Sequence, residues 1–316
     1  MLRRTLFLLS VCGIAAFIVL AAKLYDIQII HHDEYEAAAI AQQVRETTVS
    51  AARGTIYDRN GIILAMSAGV DTIYISPAEI ERGHEDAEAI ADGLSEILGV
   101  DRETILKRAQ NTKSWYEVVA RKVEPEITEQ VREFKAEGGY SGIKIESDTK
   151  RYYPFGSLAS HVIGFVGLEN TGLGGIEAKY DEQLSGENGF VLRSTTAAGT
   201  DMLYSSYEDY VDAEDGESLR LTIDSTIQYY IEKHLSQAVA DYDIQNGAAA
   251  ICMEVDTGAI LAMASLGNFD LNDYQTISAE AEAEISAEAQ SEEEYNELYA
   301  LAQQQQWRNK AISDTY

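Results

Sequence analysis

An uncharged, mostly apolar run of 18 residues, from Thr5 to Ala22, lies close to the N-terminus. A helix needs about 17 to 25 such residues to cross the hydrocarbon of a bilayer, so residues 1–23 are predicted to form a cytoplasmic stub and a single transmembrane helix. Arg3 and Arg4 precede the run, and the positive-inside rule then predicts a cytoplasmic N-terminus and an extracytoplasmic bulk. A cleaved signal peptide is the alternative, which is disfavoured because Leu20-Ala21-Ala22 is a poor cleavage site.

The pattern of apolar residues changes twice after this run. Apolar positions three to five apart predict that the helix continues over Lys23–Gln43, within a stalk at residues 24–46. Two β-rich runs, Thr55–Tyr57 and Ile62–Leu64, then flank Asn60-Gly61. Asn-Gly between strands predicts a hairpin with a type I′ turn, because both residues tolerate positive φ.

Helical and strand-like patterns mix between residues 87 and 153. Apolar residues share one face of a predicted helix from Ala87 to Leu98, and Asp101 is placed to cap the next helix. The pattern then predicts a strand, a helix and a strand, at Trp115–Arg121, Glu126–Glu137 and Gly142–Tyr153. This mixture predicts an α+β fold.

The second half of the chain begins with an acidic segment, residues 208–217, which is predicted to be a linker between two domains. Asp224 then caps a predicted helix from Ser225 to Asp241, and two apolar strands follow at Gly247–Val255 and Ile260–Ser265. Residues 278–306 are rich in Ala, Glu and Gln, and their loose apolar stripe leaves a solvated helix and a partly disordered loop both open.

Charge and cysteine content exclude several kinds of ligand. The formal net charge of -29 argues against nucleic acid and anionic bilayer surfaces as ligands, because both would repel the chain. Cys12 is predicted to be an ordinary apolar residue of the membrane span and Cys252 a buried small residue, so no disulfide follows from the two cysteines. The histidines lack the spacing of zinc ligands. We therefore expect neither a metal site nor a cofactor site.

Two ordered strings of residues resemble a known family. The string Arg53-Gly54-Thr55-Ile56-Tyr57-Asp58-Arg59-Asn60-Gly61 resembles the R-G-x-I-x-D-R-N-G signature at the start of the pedestal of class B penicillin-binding proteins (PBPs). Residues 151–167, followed by 172–177 and 180–186, resemble the second pedestal signature of that family. The resemblance implies a structural motif made of Arg53, Gly54, Asp58, Arg59, Asn60, Gly61, Arg151, Pro154, Gly156, His161, Gly164, Gly175 and Glu177.

Residues 307–316, W-R-N-K-A-I-S-D-T-Y, are similar to the approach to the nucleophile in the same family, where S-x-x-K follows. The resemblance implies an elongated, β-rich pedestal of the PBP dimerisation type at residues 47–207. It also implies the incomplete, N-terminal part of a serine β-lactamase-like transpeptidase domain at residues 218–316. We expect the sequence to stop short of the Ser nucleophile, so that this chain carries no catalytic residue.

Two S-x-x-K matches occur elsewhere, at Ser141–Lys144 and Ser147–Lys150. Both fall in strand-like sequence, where residues three apart point to opposite faces, so we expect them to be structural. Neither K-T-G nor S-x-N occurs in the chain.

The resemblance further implies a parent D,D-transpeptidase that cross-links peptidoglycan stem peptides by acyl transfer and binds β-lactams. Its expected partners are the membrane, a polytopic glycosyltransferase and divisome-type proteins. The alternative is a non-catalytic, membrane-anchored interaction module that binds cell-wall synthesis partners through the pedestal. The nucleotide sequence after the codon for Tyr316 discriminates between them, because an open frame that continues into S-x-x-K indicates the enzyme.

Overall fold

The computed structural model describes residues 44–194, 208–244 and 247–313, together with a few separate positions between 13 and 29. Most of the predicted transmembrane helix and most of the stalk lie outside these residues. Among the helices that the described residues form, none is both long and apolar enough to cross a membrane. Internal contacts divide the chain into two units, residues 1–48 with 190–212 and residues 49–189 with 213–316.

Helices and strands mix along the described residues, and the predicted α+β class is confirmed. The strands are β1 (Val44–Val49), β2 (Ile56–Tyr57), β3 (Ile63–Ile75), β4 (Glu117–Val123), β5 (Ile143–Tyr152), β6 (Gly189–Ser194), β7 (Glu208–Val211), β8 (Leu219–Arg220), β9 (Ala249–Met253) and β10 (Ile260–Ser265). The helices are α1 (Pro77–Gly83), α2 (Ala87–Leu98), α3 (Arg102–Ala109), α4 (Pro125–Gly138), α5 (Ser160–Ile163), α6 (Gly175–Lys179), α7 (Asp181–Ser185), α8 (Ser225–Asp241), α9 (Ala279–Glu288), α10 (Glu292–Trp307) and α11 (Lys310–Ser313).

The smaller unit contains a sheet of three strands in the order β1-β6-β7. Strands β6 and β7 are antiparallel, with Phe190 opposite Val211. Strand β7 occupies the start of the acidic segment, at Glu208–Val211, and the role of residues 208–217 as a linker between domains stays a prediction. Tyr210 and Val211 are residues that favour strands, and they allow this acidic segment to pair with the apolar β6.

The central strand of the larger unit is β3. It pairs antiparallel with β5 from Met66 opposite Tyr152 to Ile75 opposite Ile143, and it also pairs with β4. Helices α1 to α4 pack against these strands through a hydrophobic core, whose burial is the main force that stabilises this segment. The buried members of this core are Ile73, Ile75, Ile80, Ile90, Ala91, Leu94, Ile105, Ala109, Val119, Val123, Val131 and Ile143.

A second core joins the residues after β5 to the second half of the chain. Its buried members are Ile56, Leu64, Ala65, Tyr153, Ala159, Ile163, Phe165, Leu184, Phe269 and Leu271. Strand β2 also links the two parts, because it pairs antiparallel with β3 and parallel with β8. Residues 49–189 and 213–316 are therefore packed together in one unit. The division into a pedestal at 47–207 and a transpeptidase part at 218–316 stays a prediction.

Most of the predicted element boundaries agree with the structure to within about two residues, but the strand predicted at Ile62–Leu64 extends to Ile75 as β3. Helix α2 has the predicted bounds, and Asp101 caps α3 by accepting a hydrogen bond of 2.9 Å from the Thr104 N–H. Helix α8 also has its predicted bounds, with Asp224 as its N-cap. Residues 278–306, for which the sequence left a helix and a loop open, are mostly helical as α9 and α10.

The prediction that Cys252 is buried is wrong, because its side chain is partly exposed. In the described part of the chain β9 pairs with β10, and neighbouring side chains of β9 are open to solvent, with Ile251 51% and Met253 55% exposed. Part of the hydrophobic surface of the apolar run around Cys252 is thus not covered by the described residues.

Truncation of Leu94 to alanine tests the first core. Leu94 is fully buried in α2, so we expect Leu94→Ala to lower the free energy of unfolding by about 2–5 kcal/mol in urea denaturation. Glu96→Ala, at an exposed position of the same helix, is the control and should change it by no more than about 0.5 kcal/mol. Equal effects of the two substitutions would contradict the described packing.

Candidate functional site

Glu177 lies between two arginines in the interior of the larger unit. Its Oε2 accepts a hydrogen bond of 2.7 Å from Nε of Arg53, and its Oε1 accepts one of 2.8 Å from Nε of Arg151. The Glu177 side chain is 0% exposed and both arginine side chains are 2% exposed. Buried charges of this kind are tolerated only when they are paired and hydrogen-bonded. We call these three residues the arginine node.

The remaining donors of Arg53 reach the segment 170–185. Its Nη1 donates to the Asp181 carboxylate at 2.7 Å, to the Asn170 carbonyl at 3.0 Å and to the Ser185 hydroxyl at 2.8 Å. Its Nη2 donates to the carbonyl of Glu177 at 2.8 Å. One guanidinium therefore holds a whole turn of irregular backbone and the two helices beside it, α6 and α7.

Arg151 binds the first strand segment on the opposite side of Glu177. Its Nη1 donates to the backbone carbonyl of Arg53 at 3.2 Å and to the Ser67 hydroxyl at 3.3 Å. The two arginines thus contact each other's segments as well as the shared carboxylate.

The charges of the node are balanced by a second carboxylate, Asp181. Burial by itself would raise the pKa of the Asp181 carboxyl. The hydrogen bonds from the Gly172 N–H and from Arg53 outweigh that effect and hold this pKa below its ordinary value. Tyr153 completes the site, since its hydroxyl lies 3.4 Å from Oε1 of Glu177, and burial raises the pKa of that hydroxyl.

Two glycines of the predicted motif are required by close approach of backbone around the node. A Cβ on Gly54 would lie 2.0 Å from the carbonyl oxygen of Glu217, and one on Gly164 would lie 1.9 Å from that of Gly174. Gly164 also has a φ of 74°, which L-residues with a side chain rarely adopt. Gly175, the first residue of α6, has a φ of 56°.

The Asp58–Gly61 turn lies against the start of α8. Oδ1 of Asp58 accepts hydrogen bonds from the backbone N–H groups of Asn60 at 2.7 Å and Ile62 at 2.8 Å. Oδ2 accepts from the Ser225 hydroxyl at 2.8 Å and from its N–H at 3.2 Å. Burial would raise the pKa of Asp58, but these hydrogen bonds prevail and lower it. A charged Asp58 therefore joins the hairpin to the first residue of the helix.

Two further hydrogen bonds fix the same turn. The side-chain amide of Asn60 donates to the Asp224 carboxylate at 3.1 Å, and the N–H of Arg59 donates to the Ile223 carbonyl at 2.9 Å. The predicted hairpin is present, but its predicted type I′ turn is wrong, because Gly61 has a φ of 88° whereas Asn60 has a negative φ. The reason is that the Asp58 carboxylate holds the turn from within.

His161, in the short helix α5, contacts the last part of the chain. Its Nε2 lies 2.9 Å from the carbonyl oxygen of Gln306, and its Nδ1 lies 3.2 Å from the Ser265 hydroxyl. Burial lowers the pKa of His161, and the positive charge of Lys310 lowers it further. A neutral imidazole is therefore the favoured form.

The structure thus separates the predicted motif into three places. Arg53, Arg151 and Glu177 form the node, with Gly54, Gly164 and Gly175 around it. Asp58, Arg59, Asn60 and Gly61 form the turn at α8, and His161 lies apart from both. Pro154 is exposed, and Gly156 adopts a φ of 57° in the loop after β5.

Sequence reasoning missed Asn170, Asp181 and Ser225 as partners of this motif. Asp181 falls inside the 180–186 string, so its position in the signature was a usable signal. Asn170 contacts Arg53 through its backbone carbonyl, which no sequence pattern identifies, and Ser225 was recognised only as the start of a helix.

The two internal S-x-x-K pairs are structural in this fold. Lys144 forms an ion pair of 2.6 Å with Glu79, and Lys150 forms one of 2.8 Å with Glu124. Both lysines and Ser147 belong to strand β5, as their pattern indicated. Each lysine charge is therefore directed to a carboxylate of another element.

A groove of about 940 Å3 lies beside α8, lined by residues that include Phe155, Tyr229 and Tyr230. Glu232 lies in its wall, where burial raises the pKa of its carboxyl. Its Oε1 already accepts hydrogen bonds from the Ala159 N–H at 2.8 Å and from Gln228 at 2.6 Å. Among the described residues, no cluster of three or more His, Cys, Asp or Glu side chains could hold a metal ion.

A family described as the penicillin-binding protein dimerisation domain matches residues 48–221, which is more than half of the chain. The chain belongs to this family. The match begins before the Arg53 string and includes both sides of the arginine node. It confirms the resemblance that the pedestal strings carried.

Curated relatives extend the similarity beyond the matched domain. Stage V sporulation protein D of Bacillus subtilis is 31% identical over 277 residues, which cover 87% of this chain and 41% of that protein. Peptidoglycan D,D-transpeptidase FtsI of Escherichia coli K12 is 29% identical over 282 residues, which cover 87% of this chain and 46% of that protein. The chain thus spans less than half the length of these relatives.

Solved structures show the same fold. A peptidoglycan synthetase from Bifidobacterium adolescentis has a TM-score of 0.53 and 26% identity, over 73% of this chain and 46% of that one. Penicillin-binding protein PBP2 of Helicobacter pylori, in a complex with MreC, has a TM-score of 0.58 and 21% identity, over 78% of this chain and 47% of that one.

Substitution of the shared carboxylate tests the arginine node. In Glu177→Gln two buried arginines lose their common negative partner, and we expect the free energy of unfolding to fall by about 3–5 kcal/mol. The control is Glu169→Gln, whose 2.8 Å ion pair with Arg121 is exposed and should contribute about 0–1 kcal/mol. A loss no larger than that of the control would show that Glu177 does not hold the node together.

The burial of His161 predicts a pH dependence of stability. The folded-state pKa is lowered, so the unfolded chain binds a proton at a higher pH than the folded protein. Stability from neutral His161 is thus present above the ordinary histidine pKa and is lost as pH falls through the folded-state value. Urea denaturation at about pH 7.5 and about pH 5.5 should show a larger loss in the wild type than in His161→Gln, because glutamine does not titrate. Equal losses would contradict the burial of a neutral imidazole.

Proposed function

We propose that the protein is the membrane-anchored N-terminal part of a class B PBP. In this proposal the complete protein cross-links peptidoglycan stem peptides on the outer face of the membrane. The observation that carries the proposal is the arginine node, because it is built from both pedestal strings inside the 48–221 match. The similarity to a relative named as a peptidoglycan D,D-transpeptidase supports the same reaction.

The proposed reaction is acyl transfer through a serine that this chain does not contain. Such chemistry needs a serine activated by a nearby lysine, and donors that stabilise the oxyanion. The lysines of the two internal S-x-x-K pairs are instead bound to Glu79 and Glu124. We propose that the nucleophile of this enzyme, together with its β-lactam and stem-peptide contacts, is supplied by a part of the complete protein other than these residues.

Exposed apolar residues indicate that another segment packs against the two-stranded sheet of β9 and β10. Ile251, Met253 and Val255 are 51%, 55% and 91% exposed, although they belong to an apolar run. Uncovered hydrophobic surface of this kind marks a site where another segment packs. We propose that the remainder of a transpeptidase domain covers β9.

We also propose that Thr5–Ala22 anchors the protein by one span, with the N-terminus in the cytoplasm and the bulk outside. The length of the apolar run and the preceding arginines support this placement. Cell-wall synthesis proteins, including a polytopic glycosyltransferase, are the proposed partners of the pedestal. The Helicobacter pylori complex of a PBP with MreC supports a partner of this general kind.

The second candidate is a membrane-anchored interaction module without catalysis. One observation favours it, namely that the arginine node and the Asp58–Gly61 turn join segments of the 48–221 match without a catalytic group. It requires no residue beyond those present.

Fluorescent penicillin labelling tests the proposal. Membranes that carry this 316-residue chain are compared with membranes that carry a version extended through the in-frame codons of its locus. We expect label on the extended protein alone, because only it would contain the serine, and no label once that serine is replaced by alanine. Label on the 316-residue chain would contradict the assignment of the nucleophile. Absence of label from both would support the interaction module.

A further inference from the structure

We propose that His161 is a positioning residue, which fixes the segment Gln306–Lys310 against the pedestal and sets where helix α11 begins. The importance of this segment for catalysis rests on the proposed function, in which the nucleophile follows it. The contacts themselves are independent of that function.

Both ring nitrogens of His161 are engaged. The Gln306 carbonyl can only accept a hydrogen bond, so the Nε2 atom 2.9 Å away carries the proton and donates it. Nδ1 is then the acceptor of the neutral ring, and the Ser265 hydroxyl at 3.2 Å is its donor. The imidazole therefore bridges β10 and the end of α10, two elements that are separate in sequence.

The backbone of His161 provides a second attachment. The side-chain amide of Asn309 donates to the His161 carbonyl at 3.3 Å. Asn309 also starts α11, because its own carbonyl accepts hydrogen bonds from the N–H groups of Ile312 at 3.3 Å and Ser313 at 3.0 Å. The residue that begins the helix is thus bound directly to residue 161.

Trp307 provides a third attachment to the same part of the pedestal. Its ring centroid lies 5.0 Å from that of Phe165, which also stacks on Tyr274 at 4.2 Å. The indole N–H donates to the Tyr274 carbonyl at 2.8 Å. Tryptophan and histidine therefore hold both sides of the short stretch between α10 and α11.

The groups around the imidazole suit its neutral form. Lys310 is the charged residue on the α11 side, and Ser265, Gln306, Asn309 and the edge-on ring of Phe269 are neutral. The carboxylate of Glu232, which accepts a hydrogen bond from the Ala159 N–H two residues before His161, also accepts one from Gln228. Among the described residues, Lys310 is the charged group that acts on the imidazole, so a positive charge on His161 would be repelled there.

The consequence for the proposed enzyme is geometric. Catalytic groups must be held to within a fraction of an ångström of their productive positions. Helix α11 is short, and its start is fixed by Asn309 and Trp307 through residues of the pedestal. In the proposed enzyme, a shift of His161 would therefore also shift a catalytic group that follows α11.

The test uses the 316-residue chain with Trp115→Phe, which leaves Trp307 as its one tryptophan. In this background we compare His161→Ala and His161→Gln by acrylamide quenching of Trp307 and by amide hydrogen exchange. Alanine removes the donor to the Gln306 carbonyl, and we expect about tenfold faster exchange over residues 306–313, the effect of one hydrogen bond. Glutamine can place an N–H near the position of Nε2, so we expect it to keep exchange and quenching within about twofold of the wild type.

Exchange at Ile73 and Ile75, near the end of β3, is the internal control, because these two residues belong to the first core. Local loosening with unchanged exchange at these two residues supports the proposal, whereas wild-type behaviour of His161→Ala overturns it. Equal loosening by alanine and glutamine also overturns it, since the donor at Nε2 would then be irrelevant. If His161→Ala does not fold, Asn309→Ala removes the second attachment and must loosen residues 306–313 for the proposal to stand.

These measurements are separate from penicillin labelling. A chain whose locus encodes no nucleophile can still show the histidine effect, and the positioning role would then be correct while the proposed function failed. Conversely, if the extended protein is labelled but His161→Ala does not change exchange or quenching, the proposed enzymatic function stands and the positioning role is overturned.

Discussion

The shared carboxylate of Glu177 is the interaction on which the larger unit depends. Two guanidinium groups lie in the interior on either side of it, and each would be strongly unfavourable there without a negative partner. Arg53 belongs to the start of the pedestal, Arg151 lies at the end of β5, and Glu177 lies in the glycine-rich segment before α7. Since the three segments are far apart in sequence, satisfying these charges fixes their relative positions in a way that apolar packing alone would not.

The other motif residues extend this arrangement towards the second half of the chain. Asp58 accepts the N–H and hydroxyl of Ser225, so the hairpin beside the node also holds the beginning of α8. His161 and Phe165 hold the segment between α10 and α11. The residues of the family signature therefore form contacts between segments of the chain. Their charged side chains serve these contacts and are not arranged for catalysis.

Local patterns predicted much of the fold. The helices α2 and α8 and their capping aspartates follow from short-range periodicity and side-chain chemistry, which act within a few residues. The turn type at Asn60-Gly61 was wrong because a buried carboxylate, Asp58, prevailed over the intrinsic preference of the dipeptide. Strand β7 and the exposure of Cys252 were missed because both depend on which strands are available as partners. The residues of the node were identified from the family resemblance. Their ion pairs cannot be deduced from sequence spacing, because Arg53 and Glu177 are far apart in the sequence and come together only when the chain folds.

A double-mutant cycle between Arg151 and Glu177 tests the central claim most directly. The free energy of unfolding is measured for Arg151→Met, for Glu177→Gln and for the double variant. If the two residues share one buried charge network, the double variant is less destabilised than the sum of the single variants, by about 1–3 kcal/mol. The residual instability would come from Arg53, which keeps Asp181 as a partner. Additive losses would contradict the account, because Arg151 and Glu177 would then act independently.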